Sequence, residues 1–243
     1  MNWAIISNCS SVCRARIDLG LLIDGSSSRY RFSQILALVR QLIRYFDISR
    51  IYTRVGIITY STSPIPVSNF ASYSRRYDLL KVIRKIRFPR GRSYTGRALR
   101  FAGRYLFTGR RSSTRARVLV VVMGSRSSDR IRRPAEMLRQ AGIEIFAVGM
   151  GGGVRMTSLS AIATDRFHAF MGVRLGLRNL LSKLVAKICA ASPRTKPTTK
   201  RKFNVFFFCC QNFGSTSHLC AFWMILWERA IFLWLMLTWI WIS

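Results

Sequence analysis

The chain has 243 residues, of which 50% are apolar and 20% are charged, so it is long enough for one substantial α/β domain with a packed core. Its 40 lysine and arginine residues against 9 acidic ones give a formal charge of +31, which favours nucleic acid, an anionic membrane or a polyanionic sugar as partner. The arginines are spread through every segment, and no basic helix or RNA-binding signature gathers them. This argues against nucleic acid as the partner. The alternative that the arginines form a basic surface without any specific anionic partner stays open.

The N-terminal segment, residues 1–12, shows no secretion signal. Its apolar run WAII is too short for the hydrophobic part of a signal peptide, and no charged residue precedes it. Either the protein is not secreted, or the chain is an incomplete copy of one that is.

Apolar runs of strand length alternate with segments of helical period from residue 17 onward. The run IDLGLLI at 17–23 predicts a strand, and the spacing of apolar residues from Phe32 to Phe46 predicts an amphipathic helix. The elements that follow are a strand at 54–61, a proline-bearing edge strand at 63–70, helices at 79–86 and 95–107, and a buried strand at 117–123.

The alternation continues to the end of a predicted domain at residues 13–192. Its later elements are a helix at 131–141 that ends at Gly142, a strand at 143–150, a short helix near 156–163, the stretch RFHAF at 166–170 and a last helix from Leu177 to Ile188. This order predicts an α/β fold, a doubly wound and mostly parallel sheet with helices on both faces.

Two segments of different character follow this domain. Residues 193–202, PRTKPTTKRK, have the composition of a basic linker, and residues 203–243 form a strongly apolar tail. The tail has the length of a membrane span, but Glu228 and Arg229 fall in its middle, where charges are costly. It is therefore either a membrane anchor or the product of an erroneous gene model.

The stretch LGLLIDGSSSRYRF at 19–32 places an acid and three serines at the end of a strand. Ligands bind near the carboxyl ends of strands in such sheets, and one carboxylate with two hydroxyls suits Mg²⁺ or a similar cation. Asp24, Ser26 and Ser28 are therefore candidate metal ligands. The alternative is a tight turn in which a serine caps the following helix.

Four motifs carry a family resemblance: DLGLLIDGSSS at 18–28, VGIITYS at 55–61, GRSYTGRAL at 91–99 and GIEIFAVGMG at 142–151. With these motifs in this order, residues 13–190 resemble the von Willebrand factor type A domain, particularly the extracellular kind found in collagen VI, matrilins and cochlin. The resemblance implies an extracellular protein-binding domain that is not an enzyme.

The resemblance also implies a metal-ion-dependent adhesion site. In the family, Mg²⁺ or Mn²⁺ is held by three loops, and an acidic residue of the partner completes its shell. The matching residues are Asp24, Ser26 and Ser28 in the first loop and Ser93, where the family has threonine, in the second; Thr95 is a weaker candidate.

The third loop departs from the family pattern. Gly124 stands where the family has an aspartate, so the second carboxylate is missing and cation binding is expected to be weakened. Asp129 lies five residues further on and compensates only if the loop folds back.

Cys13 precedes the first strand and Cys189 ends the last helix, so both lie on the face opposite the ligand site. Extracellular relatives often have such flanking cysteines, and a bridge between them would contribute about 5 kcal/mol as an upper figure. The alternative is two free thiols in a reducing compartment, which would favour an intracellular scaffold domain.

Other motifs give weaker signals. The glycine-rich GMGGG at 149–153 lacks the spacing of a phosphate-binding loop and predicts a strand-to-helix turn. His168 and His218 have no metal-ligand neighbours in the sequence, and no base accompanies Ser26 or Ser28 to make either a nucleophile.

The expected function is adhesion to another extracellular protein, such as a collagen, with a membrane contact only through the tail. A different class of function is open: metal-independent binding of a polyanion such as a glycosaminoglycan through the arginine-rich surface.

Overall fold

The computed structural model describes residues 12–108 and 114–191. The predicted linker at 193–202 and apolar tail at 203–243 lie outside these ranges, as do residues 1–11. Among the described residues, no helix has both the length and the hydropathy needed to span a membrane.

Six strands form one sheet in the order β3-β2-β1-β4-β5-β6. All neighbours are parallel except β3, which runs antiparallel to β2 at one edge, where a strand containing two prolines is tolerated. The strands are β1 (Ile17–Asp24), β2 (Thr53–Tyr60), β3 (Pro64–Ser68), β4 (Ala116–Met123), β5 (Glu144–Gly149) and β6 (Ala169–Met171).

Helices cover both faces of the sheet, so the predicted doubly wound α/β fold is confirmed. Helices α1, α2 and α7 supply the core on one face, and α3, α4 and α5 supply the core on the other. The helices are α1 (Arg29–Arg44), α2 (Arg76–Lys85), α3 (Thr95–Tyr105), α4 (Arg132–Gln140), α5 (Met156–Ile162), α6 (Gly172–Leu175) and α7 (Leu177–Ala190).

The central strand β1 is buried along its whole length because helices pack on both of its faces. Leu19, Leu21 and Ile23 contribute to the core under α1 and α7, and Leu22 contributes to the core under α3 and α4. Each such side chain contributes about 1.5–3 kcal/mol on burial. This packing fixes the height at which the strand ends, and therefore the position of Asp24.

The amino ends of the parallel strands form what we name the lower edge of the sheet. A disulfide joins Cys13 to Cys189 there, with 6.0 Å between their Cα atoms, which is the pairing expected from the sequence. Asp18 on β1 accepts hydrogen bonds of 2.7 Å from Arg54 and of 2.9 Å from Arg115. The lower edge is thus held by a covalent bond and two ion pairs.

Candidate ligand-binding site at the carboxyl ends of the strands

The carboxyl ends of the parallel strands form the upper edge, and the register brings their last residues together. Asp24 on β1 pairs with Tyr60 on β2, and Ile23 pairs with Val122 on β4. Because the strands end at the same height, the loops that follow β1 and β4 meet over Asp24. The segment before α3 joins them through Tyr94, whose N–H donates to Ser61 O just beyond β2 at 3.0 Å.

Asp24 is fully buried, and its carboxylate is surrounded by hydrogen-bond donors of the protein. Oδ1 accepts from the N–H and hydroxyl of Ser26 at 2.9 and 2.6 Å. Oδ2 accepts from the Ser93 hydroxyl at 3.3 Å, from Gly124 N–H at 3.0 Å and from the N–H and hydroxyl of Ser125 at 3.1 and 3.2 Å. A carboxylate offers about four lone-pair directions, so this one is saturated.

Ser28, the remaining first-loop candidate, does not hydrogen-bond to Asp24. Its hydroxyl accepts a 3.2 Å hydrogen bond from Arg31 N–H and caps helix α1, and the residue is exposed. Ser26 thus contacts the carboxylate, and Ser28 caps the following helix, as in the alternative interpretation of this motif.

A buried chain of hydroxyls runs beneath the carboxylate. The Ser93 hydroxyl lies 3.3 Å from that of Thr95, which lies 3.2 Å from the hydroxyl of Tyr60. Burial raises the pKa of Tyr60 well above its usual value, and the negative charge of Asp24 raises it further. Tyr60 therefore stays protonated, and its involvement was not expected from the sequence.

Ser27 occupies the space that a third-loop carboxylate would need. A Cβ atom added at Gly124 would lie 2.7 Å from the Ser27 hydroxyl oxygen and 3.0 Å from Ile35 Cδ1. The Ser27 hydroxyl is buried without a hydrogen-bond partner. An aspartate at position 124 would therefore require the Ser27 and Ile35 side chains to shift.

Asp129 does fold back, but onto helix α3 and not onto the Asp24 pocket. Its two oxygens accept from Gly96 N–H at 2.8 Å and Arg97 N–H at 2.7 Å, which satisfies the free amino end of α3. Asp129, from the loop after β4, thus caps the amino end of α3.

The glycine-rich loop that follows β5, here the fourth loop, packs against the third loop, which follows β4. A Cβ atom at Gly151 would lie 2.0 Å from Gly124 O, so only glycine fits at this contact. Arg31 Nη1 donates a 2.5 Å hydrogen bond to Met150 O and so ties α1 to the same loop. The predicted strand-to-helix turn accounts for this segment.

These contacts do not fit a tightly held Mg²⁺ or Mn²⁺. Such cations need several oxygen ligands, and their affinity depends on carboxylate charge, yet the lone carboxylate here is already saturated. No group of three or more His, Cys, Asp or Glu side chains in the described ranges is arranged to hold a metal ion. The metal set of Asp24, Ser26, Ser28 and Ser93 therefore stays a prediction.

The upper edge is rich in arginine. These arginines lie on the loops and helix starts of the upper edge, and within the described ranges none forms an ion pair with a carboxylate. The partly or fully exposed members of this arginine rim are Arg29, Arg31, Arg87, Arg90, Arg92, Arg97, Arg126 and Arg130. Their charge repels a cation and attracts an anion.

His168 has carboxylate neighbours that its sequence position did not reveal. Its Nδ1 lies 2.7 Å from Asp165 Oδ1, and its Nε2 lies 2.7 Å from Glu144 Oε1 at the start of β5. The hydrogen bond with His168 lowers the pKa of Asp165. Both ring nitrogens are thus engaged near the lower edge, away from the serines of the first loop.

Ser125 and Arg31 were missed as site residues for the same reason. Ser125 directly follows Gly124, and Arg31 lies three positions after Ser28; the roles of both come from contacts between different loops. The end of the β4 strand could have flagged Ser125, because it follows the strand that pairs with β1. Nothing in the spacing of Arg31 pointed to the fourth loop.

Comparison with known proteins identifies the family. The family model described as von Willebrand factor type A domain matches residues 18–182. Cochlin from Cavia porcellus is 32% identical over 186 residues, which cover 74% of this chain and 34% of cochlin. The collagen alpha-4(VI) chain from Mus musculus is 30% identical over 217 residues, which cover 82% of this chain and 9% of that one.

A solved structure shares the fold. Proximal thread matrix protein 1 from the mussel byssus, with a zinc-occupied adhesion motif, superposes with a TM-score of 0.67 at 19% identity, over 73% of this chain and 49% of that one. The chain spans about a third or less of the two curated relatives named above. On the family match and these relatives, the chain belongs to the von Willebrand factor type A domain family.

Proposed function

We propose that this chain is a non-enzymatic protein-binding domain of an extracellular matrix or cell-surface protein. Its upper edge captures an acidic segment of a partner protein, collagens and other matrix proteins included, without a divalent cation. The family and the names of the relatives support the adhesive class. The disulfide between Cys13 and Cys189 supports an extracellular location, because such bonds persist in oxidising compartments.

One observation carries the metal-free mode: protein donors saturate the site carboxylate, and the arginines of the rim have no carboxylate partner in the part of the chain that the structure describes. In a cation-bridged site, the ion supplies the positive charge that a partner's carboxylate binds. Here the guanidinium groups supply that charge directly, and guanidinium matches carboxylate geometry with two parallel hydrogen bonds. The buried Asp24 then orders the loops that carry the arginines.

Poly-L-glutamate is a suitable probe for this function. We expect the full-length chain to bind it equally well in EDTA and in Mg²⁺ or Mn²⁺, with affinity that falls steeply as salt rises. The variant Arg126→Gln with Arg130→Gln, on the upper edge, should bind at least about tenfold more weakly, since each lost charge-assisted contact counts. The matched variant Arg16→Gln with Arg44→Gln, exposed and away from that edge, should bind nearly as well as the unchanged chain.

Binding that depends on a divalent cation would contradict the metal-free mode. Binding that EDTA abolishes and Mn²⁺ restores, together with a saturable rise in melting temperature that Ser26→Ala removes, would establish the cation-bridged site and overturn the metal-free mode. A positive control for that readout is Gly124→Asp combined with Ser27→Gly, which restores a second carboxylate and clears its space.

Glycosaminoglycan binding is the second candidate, favoured by the arginine excess over the whole domain. Heparin that binds more tightly than poly-L-glutamate, and to the same degree in both arginine-pair variants, would indicate delocalised polyanion binding. The upper edge would then have no special role.

A further inference from the structure

A pocket of about 440 Å³ opens beside the first loop, between the start of α1 and the segment that follows α2. Its apolar lining consists of Phe32, Leu36, Ile86 and Phe88, with Arg29 and Arg87 exposed at its rim. We name it the Phe88 pocket. Its volume lies within the range of about 300–1,000 Å³ found for ligand-binding pockets.

The aromatic wall of the pocket is preformed. The rings of Phe32 and Phe88 lie 5.5 Å apart in a tilted arrangement, and Arg29 lies with its guanidinium carbon 5.7 Å from the centre of the Phe88 ring. Phe32 is buried, whereas Phe88 is only half-buried. A half-exposed aromatic ring with a cation over it leaves an apolar surface that a partner side chain can cover.

The pocket adjoins the site around Asp24. A Cβ atom at Gly25 would lie 2.2 Å from Pro89 Cγ, so the segment that carries Phe88 rests directly on the first loop. Arg29 follows Ser28, the cap of α1. A peptide that crosses the upper edge can therefore reach both places.

The charge around the pocket has one sign. The first turn of α1 contains no acidic residue and begins with Arg29, although the helix dipole favours negative charge there. The last turn of α2 is also basic, with Arg84 and Lys85. A bound carboxylate would relieve both the repulsion between these cations and the unfavourable helix terminus.

We propose that the Phe88 pocket receives an apolar side chain of an acidic peptide segment, while Arg29 and Arg87 pair with carboxylates that flank it. This inference rests on the proposed function and adds a sequence requirement for the partner: an aromatic or aliphatic residue between acidic ones. The arginines supply attraction, and the pocket supplies selectivity between acidic segments.

The test uses two labelled oligoglutamate peptides, one with a central phenylalanine and one with glycine in its place. Fluorescence anisotropy with the full-length chain should show about tenfold or tighter binding of the phenylalanine peptide, from burial of one aromatic side chain. Ser33→Trp, at the rim of the pocket, should abolish this preference and leave binding of the glycine peptide unchanged. Gln41→Trp, exposed on the same helix but outside the pocket, is the matched control and should keep the preference.

The outcomes separate the two proposals. Equal, salt-sensitive binding of both peptides to the unchanged chain would overturn the pocket and leave the metal-free acidic site standing. A preference that persists in Ser33→Trp would also overturn the pocket, because the phenylalanine would then be bound elsewhere. Failure of both peptides to bind would overturn the pocket and the proposed function together.

Discussion

The two ends of strand β1 each bury a carboxylate, and the two are treated in opposite ways. Asp18 at the lower edge is held by the guanidinium groups of Arg54 and Arg115. The described hydrogen-bond partners of Asp24 at the upper edge are hydroxyls and backbone N–H groups, with no arginine among them. In a chain with 40 lysine and arginine residues, it is unexpected that neutral donors bind the carboxylate of Asp24.

This difference distinguishes the lower edge, which stabilises the fold, from the upper edge, which we propose binds a partner. At the lower edge, Asp18 balances part of the charge of Arg54 and Arg115, and a disulfide adds a covalent link. At the upper edge, neutral donors satisfy Asp24, and among residues 12–108 and 114–191 no carboxylate forms an ion pair with the surrounding arginines. On the proposed function, the lower edge stabilises the fold and the upper edge binds the partner.

Removal of the disulfide should produce the largest effect. Cys13→Ala combined with Cys189→Ala should lower the free energy of unfolding by about 2–5 kcal/mol, because the unfolded chain regains the freedom of a long loop. Chemical denaturation measures this loss, and reduction of the unchanged protein should reproduce it. If binding of poly-L-glutamate weakened in parallel under folded conditions, the two edges would not be independent.

Replacement of Asp24 or Asp18 by asparagine should lower the free energy of unfolding by different amounts, because the two carboxylates have different partners. Asp24→Asn places an amide N–H₂ against backbone N–H donors on whichever side it turns, and should cost about 3 kcal/mol of unfolding free energy. Asp18→Asn leaves two guanidinium groups that are partly hydrated and should cost about 1–2 kcal/mol, less at high salt. Denaturation of both variants at low and high salt tests this; equal losses with equal salt dependence would contradict the contrast.

Tyr60 in the buried hydroxyl chain should make the free energy of unfolding depend on pH in the alkaline range, with a smaller effect than the changes above. Because the pKa of Tyr60 is raised, the folded state keeps its proton, while the unfolded state releases it above about pH 10. The stabilisation from this shift is present below that pH and is lost as pH rises toward the raised pKa. At neutral pH, Tyr60→Phe should cost about 1 kcal/mol for the lost hydrogen bond to Thr95.

The difference in unfolding free energy between Tyr60→Phe and the unchanged chain is the quantity to follow. It should shift in favour of the variant by up to about 1.4 kcal/mol per pH unit above pH 10. A difference that stays constant across this range would mean that Tyr60 ionises normally, and that Asp24 and burial do not govern it.

Much of the fold could be predicted from sequence because it depends on local periodicity. The unbroken apolar run of β4 and the spacing in α1 set their own structure, and their ends differ from the prediction by only a few residues. Gly142 was expected to end α4, and it has φ of 75°, with Ile143 N–H donating to Leu138 O at 3.1 Å.

The site was only partly predictable, since it depends on contacts between loops far apart in the chain. The motif predicted Asp24, Ser26, Ser28 and Ser93 as metal ligands, which stays a prediction. In the structure, Ser26 and Ser93 donate to Asp24, and the Ser28 hydroxyl caps α1. No sequence pattern shows that Ser27 fills the space beside Gly124, because that depends on how two loops pack.

The position of the disulfide also has a mechanical consequence. Cys13 and Cys189 lie at the lower edge, so a tensile force on the chain on either side of this pair passes through the sulfur–sulfur bond. The sheet and the loops between the two cysteines then carry none of that load. A pull on the flanking chain therefore leaves the upper edge undistorted.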